Sequence, residues 1–411
     1  MSWSAETLGD VVDRDGGMIR TGPFGSQLHQ SDYASEGIPV IMPKDISDGR
    51  VDPESVARVS EETAIRMKRH QLSAKTIVLP RRGEITKRAF IREEQAGWLC
   101  GTGCLQIVLE GNRLLPEFLY YYMEQQEVSR WLEQHAVGTT MLNLSATIVT
   151  ELPVKYPAPV AQVRIVDILS SYDALIENNR RRMVLLEEAA RQLYREWFVR
   201  LRFPGHEHTR ITNGVPEGWE RRTLAELCIS VDYGYTASAD LEAIGPKFLR
   251  ITDIVPEIID WASVPYCPID ETRLARFRLV EGDIVIARTG ATVGYAKRLH
   301  KRHPEAVFAS YLIRLRLKPE IDNVMVGIYV ESDDFKNYVQ SRVGGAAQPN
   351  ANAKVLSAAE ILVPPTTLQR VFHDLVEPLM DQREVLQLQN QQLRAARNLL
   401  LPRLMSGEIA V

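Results

Sequence analysis

The sequence predicts an α+β fold made of two similar halves, each an α/β domain followed by a long helix. First, apolar residues recur three and four positions apart between Pro159 and Phe198, which is the heptad spacing of a helix with one buried face. Second, a similar helical pattern runs from Thr366 to about Leu401. Third, the segments before the two helices also correspond, at an offset near 207 residues. We therefore interpret the chain as an internal duplication.

The two helical seams align position by position, with Asn179 in a polar slot of the first and Asn390 on or beside the second. A seam of some 40 residues is roughly 60 Å long, which is more than one domain of this size covers. We therefore expect the helices to pair as an antiparallel coiled coil, the alternative being that each packs only on its own domain. The predicted seam consists of Leu169, Tyr172, Ile176, Asn179, Met183, Leu186, Leu193, Val376, Leu379, Leu386, Leu393 and Leu400.

The repeat also sets the predicted domain bounds. The first domain covers residues 1–157, the central helix 158–202, a Pro- and Gly-rich linker 203–218, the second domain 219–364, and the C-terminal helix with its tail 365–411. Pro159 suits a first helical turn, and Thr366 with Gln369 has the spacing of a capping box. Pro378 predicts a kink or an early break, because proline removes a helical hydrogen bond.

The composition and the absence of several motifs exclude some classes of function. The net charge is −4, so any nucleic-acid contact must come from a local basic face. No phosphate-binding P-loop, dinucleotide fingerprint or zinc-protease motif is present, and no carboxylate pair predicts a nuclease, so we expect a non-catalytic binding protein without a metal or cofactor of its own. Four cysteines without ligand spacing predict buried free thiols and a cytoplasmic protein. No apolar run is long enough to span a bilayer, so no membrane is expected.

A basic turn between two strands recurs in both halves and is the main candidate binding feature. Glycine lets a backbone approach a ligand closely, and arginine can donate two hydrogen bonds to guanine or to a phosphate. The candidate residues are Arg81, Arg82, Gly83, Lys87 and Arg88 in the first half and Arg288, Thr289, Gly290, Lys297 and Arg298 in the second.

Further candidates lie in loops that correspond between the halves. They are Thr21, Gln27 and His29 in a glycine-rich loop, Lys44 after a strand, and Thr140 and Asn143 in a later turn, against Tyr233, Tyr235, Thr252, Gln348 and Asn350 in the second half. Asn and Gln pair well with adenine. Any single one of these residues could equally be an ordinary surface-loop residue. As matched sets that differ in their polar groups, they predict two similar frames that read two different short DNA sequences.

The chain resembles the specificity subunit of type I restriction–modification systems. The resemblance covers essentially the whole chain and is carried by TGPFGSQLHQSDYASEGIPVIMPKDI, by LPVKYPAPVAQVRIVDIL with ILVPPTTLQRVFHDLV, by ARQLYREWFVRLRFPG with VPEGWERRTLAEL, and by LLLPRLMSGEIAV. It implies two target-recognition domains joined by paired helices, with no catalysis in this chain.

The same resemblance implies the partners. They are double-stranded DNA, two methyltransferase subunits that carry S-adenosylmethionine and modify adenine at N6, and motor-nuclease restriction subunits that use ATP and magnesium. Arg180 to Arg182 are either a solvated face or a contact to a partner or a phosphate. The alternative function is a stand-alone DNA-binding regulator or scaffold. An autonomous methyltransferase or nuclease is disfavoured by the missing motifs.

Overall fold

The structure is a computed structural model that describes residues 3–47, 49–53, 56–138, 141–343 and 349–411. It divides into two compact units, one of Met1–Asn178 with Asn390–Val411 and the other of Asn179–Gln389. Both long helices cross this division. Each unit therefore contains one α/β domain, part of the central helix and part of the C-terminal helix.

The first unit is built on a four-stranded antiparallel sheet in the order β2-β11-β8-β9, beside a second sheet in the order β10-β4-β7-β3. Its strands are β1 (Trp3–Thr7), β2 (Gly17–Thr21), β3 (Tyr33–Ala34), β4 (Ile38–Ile41), β5 (Ile46–Ser47), β6 (Arg50–Val51), β7 (Ala57–Val59), β8 (Ile77–Pro80), β9 (Ala89–Phe90), β10 (Leu99–Cys100), β11 (Cys104–Leu109) and β12 (Pro153–Pro157). Its helices are α1 (Leu8–Asp15), α2 (Glu61–Arg66), α3 (Pro116–Tyr122), α4 (Gln126–His135) and α5 (Ala146–Thr150), and α6 (Pro159–Tyr194) begins here.

The second unit repeats this plan, with a four-stranded antiparallel sheet in the order β16-β21-β18-β19. Its strands are β13 (Ile211–Thr212), β14 (Val215–Pro216), β15 (Glu220–Thr223), β16 (Cys228–Tyr233), β17 (Lys247–Leu249), β18 (Ile284–Ala287), β19 (Ala296–Arg298), β20 (Ala306–Phe308), β21 (Leu312–Leu317) and β22 (Glu360–Val363). Its helices are α7 (Leu224–Leu227), α8 (Ile251–Ile254), α9 (Glu271–Phe277), α10 (Asn323–Val330), α11 (Asp333–Val343) and α12 (Ala353–Ser357), and α13 (Thr366–Met405) begins here and ends in the first unit.

The predicted duplication is confirmed by the topology of the two units. A parallel pair, β4 with β10 or β17 with β20, accompanies the main sheet in each unit. An antiparallel pair, β1 with β12 or β15 with β22, joins the start of each domain to the strand before its long helix. The same order of elements with the same pairings means that one fold is used twice.

Helix α6 pairs with α13 in the antiparallel sense, as predicted. In the first unit Asp173 of α6 forms an ion pair with Arg397 of α13. In the second unit Glu187, fourteen residues further along α6, pairs with Arg383, fourteen residues earlier in α13. All the predicted seam positions are buried or half-buried. Contacts two heptads further along α6 thus fall two heptads earlier in α13, which is the relation expected of an antiparallel pair.

The core continues from the seam into each domain. In the second unit Trp197 and Phe198, in a π-helical turn over Arg195–Val199, pack against Phe372 of α13 and join the sheet residues in one cluster. In the first unit Leu169 of α6 and Leu404 of α13 belong to one cluster with sheet residues. The helices therefore pack on the domains as well as on each other.

Two local expectations are wrong, the early break at Pro378 and the capping box at Gln369. Helix α13 continues past Pro378, where the carbonyl that loses its partner belongs to the exposed Asp374 and can be hydrated. Gln369 makes no capping box, because its side chain accepts from Asp322 N and donates to Pro364 O. The predicted linker contains a short hairpin, β13 with β14, which has no alternating apolar pattern to reveal it.

The cysteines agree with the expectation from composition. The four cysteines are free and buried. Burial raises the pKa of Cys100 and of Cys228 to about 12, so these thiols are protonated at neutral pH. Among the described residues, no helix is long and apolar enough to cross a membrane.

Candidate nucleic-acid interface

The basic turn of the first unit is tied to two other loops by Arg81, which follows β8. The Arg81 amide donates to Gly103 O at 2.6 Å, and the Leu144 amide donates to Arg81 O at 2.8 Å. Its guanidinium Nε donates to Leu144 O at 3.1 Å, and its cationic end lies 5.7 Å from the ring centroid of Phe24. Arg82 forms a β-bridge with Asn143. We call Phe24, Arg81, Arg82 and Asn143 the first arginine cluster.

The second unit contains the corresponding cluster, with Arg288 in the place of Arg81. The Arg288 amide donates to Tyr311 O at 3.1 Å, and the Ala351 amide donates to Arg288 O at 2.8 Å. The guanidinium donates to Asn350 Oδ1 at 3.4 Å and lies 5.0 Å from the ring centroid of Tyr233. Thr289 forms a β-bridge with Asn350. We call Tyr233, Arg288, Thr289 and Asn350 the second arginine cluster.

The two clusters share a backbone frame but present different side chains. The bridges Arg82–Asn143 and Thr289–Asn350 lie at matching positions, 207 residues apart. Phenylalanine is replaced by tyrosine over the arginine, and the exposed Arg82 is replaced by the half-buried Thr289. A common frame with different surface groups can present two different hydrogen-bonding patterns to two ligands of the same kind.

The glycine in each turn is required by the backbone conformation. Gly83 has φ 76° and Gly290 has φ 79°, in the region that side chains other than glycine rarely adopt. Among the described residues, a Cβ atom at either position would meet no protein atom within 4 Å. None of these residues therefore blocks the approach of a ligand to either glycine.

Exposed aromatic side chains belong to the same surfaces. The exposed fraction is 57% for Phe24 and 60% for Tyr311, whose carbonyl receives the Arg288 amide. Neither residue was among the candidates from the sequence. In the sequence, each is a large ring next to a glycine or a serine in a loop, and this pattern could have indicated an exposed aromatic side chain.

The remaining loop candidates have mixed placements. Gln27 is half-buried and its side chain accepts from Phe24 N, so it shapes the loop that carries the ring. Tyr235 lies over Arg273 rather than in the second arginine cluster. The other candidates outside the clusters are His29, Lys44 and Thr252, which are exposed, and Thr21, which is half-buried in β2. Thr140 and Gln348 lie outside the described residues.

Three of the predicted basic contacts do not fit a DNA-facing role. Arg88 is paired with Glu124, Lys297 with Glu331 and Arg298 with Glu377, and all three cationic side chains are largely buried. Glu124 follows α3, Glu331 follows α10 and Glu377 lies in α13, so these ion pairs connect β9 or β19 to helical segments of the same unit. We therefore leave them out of the proposed contact set, together with Lys87, which is paired with Glu84.

The sequence did not distinguish these basic residues from the turn arginines. A lysine or arginine in or next to a short strand is interpreted as a surface group unless its partner is known. Those partners stand 34 to 79 residues away along the chain for Arg88, Lys297 and Arg298. Pairing over such distances depends on the tertiary fold, which residue spacing alone does not reveal.

The α/β fold occurs twice in this chain, and each copy carries a related polar cluster. Together with the antiparallel helix pair, these features define a class of protein with two binding domains and paired long helices.

A family model described as type I restriction modification DNA specificity domain matches residues 2–188. The Type I restriction enzyme MjaIX specificity subunit of Methanocaldococcus jannaschii is 23% identical over 100% of this chain and 94% of its own length. The HindI specificity subunit of Haemophilus influenzae is 20% identical over 78% of this chain and 83% of its own length.

One solved structure shares the fold. The S subunit of a type I restriction–modification system from M. genitalium aligns with a TM-score of 0.58 at 16% identity, over 98% of this chain and 96% of that one. The N-terminal part of the chain thus matches the type I restriction modification DNA specificity domain, and the chain is similar over its whole length to a curated specificity subunit.

Proposed function

We propose that this chain is the DNA sequence-reading subunit of a type I restriction–modification complex and that it recognises an asymmetric, bipartite site. The observation that carries the proposal is the pair of arginine clusters. Each places a guanidinium, an aromatic ring and an asparagine on one open turn, and the two copies differ in the groups they expose. Two different readers on one chain suit two different half-sites.

In this proposal Arg81 and Arg288 are the principal base-reading groups. Each is fixed by backbone hydrogen bonds and lies over a ring, so little side-chain freedom is lost when it binds. A guanidinium held in this way matches the paired acceptors of guanine. Asn143 and Asn350 can read adenine, and exposed Arg82 suits a phosphate.

The chain has no chemical step of its own in this proposal. Two methyltransferase subunits would carry S-adenosylmethionine and methylate adenine at N6, and motor-nuclease subunits would use ATP and magnesium. The paired helices α6 and α13 would hold the methyltransferase subunits. The same assembly places the chain in the cytoplasm with the DNA.

The test is to purify the chain with the methyltransferase encoded beside it and to sequence the methylome of a host that carries both genes. The expected result is one co-purifying complex and adenine methylation confined to a single bipartite motif. Methylation that is scattered without a motif, together with failure to co-purify, would refute the proposal. Specific DNA binding by the chain alone, with no methyltransferase partner, would instead identify a stand-alone regulator.

A further inference from the structure

A cluster of potential metal ligands lies within the second unit, away from the second arginine cluster. It consists of His300, which follows β19, and of Glu377 and Asp381, four residues apart on one face of α13. His300 has an exposed fraction of only 9%. Among the described residues, it is the one group of three such side chains whose ligand atoms all lie within 4.8 Å of one another.

The distances within the cluster suit a shared ion better than direct hydrogen bonds. His300 Nε2 lies 3.6 Å from Glu377 Oε1 and 3.4 Å from Asp381 Oδ1. Within the part of the chain that the structure describes, neither ring nitrogen of His300 has a hydrogen-bond partner, and Asp381 Oδ1 also lacks one. Ligands about 2.1 Å from a tetrahedral zinc ion are roughly 3.4 Å from each other, which matches both distances.

The second oxygen of each carboxylate is already held by a cation. Arg298 donates to Glu377 Oε2 at 2.7 Å, and Lys301 donates to Asp381 Oδ2. Oε1 of Glu377 and Oδ1 of Asp381 are thereby turned toward His300. Metal-binding carboxylates are commonly oriented in this way by a hydrogen bond to their other oxygen.

The surroundings can accept a divalent ion and a water ligand. The imidazole of His300 is buried, and in its neutral form one ring nitrogen has a lone pair to offer. A cavity of about 50 Å³ borders His300, which exceeds the room one water molecule needs. Three carboxylates, Glu187, Glu331 and Glu384, line it together with three guanidinium groups, so the cavity is polar enough to hold water.

We propose that His300, Glu377 and Asp381 form a zinc site, with water as the fourth ligand, that fastens the second α/β domain to the C-terminal helix. The chemical class of the ligand is a divalent transition-metal ion, because one imidazole and two carboxylates favour zinc over the oxygen-only sites of magnesium and calcium. This goes beyond the proposed function, in which the chain carries no metal. The ion's role is to stabilise the second unit.

The experiment uses the full chain after removal of metals with a chelator. We expect calorimetric titration with zinc chloride to show one ion per chain, and zinc at a hundredfold excess over its Kd to raise the melting temperature by roughly 5 °C. Magnesium at the same concentration should give no shift. His300→Gln and Asp381→Asn should each weaken zinc binding at least tenfold.

The matched controls are His208→Gln and Asp374→Asn, which change an exposed histidine and an exposed carboxylate of the same unit. Both should bind zinc as the unmodified chain does. Absence of binding to the unmodified chain, or equal binding by the His300 and control variants, would overturn the proposal.

A second measurement covers the case in which a cluster variant fails to fold. X-ray absorption of the zinc-loaded, unmodified chain should show nitrogen and oxygen ligands only, and sulfur in the coordination shell would overturn the assignment. DNA binding by the complex of the chain with its methyltransferase partner, measured in parallel, separates the two proposals. Specific DNA binding without zinc binding refutes the metal site alone, and zinc binding without specific DNA binding refutes the proposed function alone.

Discussion

Gln162 and Gln369 make the same buried hydrogen bonds at positions 207 residues apart. Gln162 Oε1 accepts from Leu115 N at 2.8 Å, and its Nε2 donates to Pro157 O at 2.8 Å. Gln369 Oε1 accepts from Asp322 N at 2.9 Å, and its Nε2 donates to Pro364 O at 2.9 Å. Each glutamine thus fastens the first turn of its long helix to the strand before it and to the start of a domain helix.

The first prediction is that Gln162→Ala destabilises the first unit by roughly 2–4 kcal/mol, because buried backbone groups then lose their partners. Hydrogen exchange of amides around Leu115 measures the change. Gln192→Ala, an exposed glutamine of the same helix, is the control and should leave exchange unchanged. If amides around Leu115 exchange at the same rate in both variants, the buried side-chain amide of Gln162 does not stabilise the first unit.

Gln369→Ala should repeat this effect in the second unit, with faster exchange around Asp322. The first unit should then keep its protection. Loss of protection in both units from either single change would show that the two anchors do not act separately.

The second prediction concerns half-site recognition. Arg288→Ala should weaken binding to the intact site by roughly 5- to 100-fold, since one bidentate arginine–guanine contact is lost. Once the methylome has defined the motif, binding to DNA with one half-site scrambled identifies the half that each cluster reads. Arg81→Ala should then affect the opposite half.

The control for both variants is Arg221→Ala, a half-exposed arginine of β15 outside either arginine cluster. It should retain full discrimination between the two half-sites. Equal weakening on intact and scrambled DNA by Arg288→Ala, with a flatter salt dependence, would mean a phosphate contact in place of base reading.

Much of the fold was predictable because the two copies of the repeat share local sequence patterns. The heptad spacing, the prolines before each helix and the strand pairs with glycine turns all depend on neighbouring residues, and the structure places them as the offset near 207 requires. Arg81 and Arg288 could be predicted as turn residues because each precedes a glycine by two positions.

What could not be predicted depends on partners that are distant along the chain. Glu124 of the first unit pairs with Arg88 and also with Arg397, 273 residues away. Nothing in the sequence distinguishes such a buried cation from a DNA-facing one. The hydrogen bonds of Gln369 likewise replaced a capping box that its spacing from Thr366 had predicted.

The third prediction is a pH dependence of stability in the first unit. Burial, with nearby Arg69 and Arg20, lowers the pKa of His70 to about 4 from about 6.5 in an unfolded chain. Between these values the unfolded chain binds more protons than the folded one, so the unit should lose stability as pH falls from about 6.5 to about 4.

His70→Gln should reduce this slope in the first unit, measured by hydrogen exchange at several pH values. His135→Gln changes an exposed histidine of the same unit and should keep the original slope. An unchanged slope in His70→Gln would show that other groups dominate acid destabilisation.

The fourth prediction tests the pairing of α6 with α13 in the second unit. Glu187 and Arg383 lie 2.7 Å apart, and their side chains are only 7% and 11% exposed. Arg383→Leu should destabilise the unit by about 3 kcal/mol, because the buried Glu187 carboxylate then keeps only one of these two cations, the half-exposed Arg191. Replacing both residues by leucine should recover most of the loss, since no buried charge is then left unpaired. The exposed pair Glu188 and Arg195 is the control, and Arg195→Leu should change stability by less than about 1 kcal/mol. A double variant as unstable as Arg383→Leu alone would mean that the arginine acts through contacts other than Glu187.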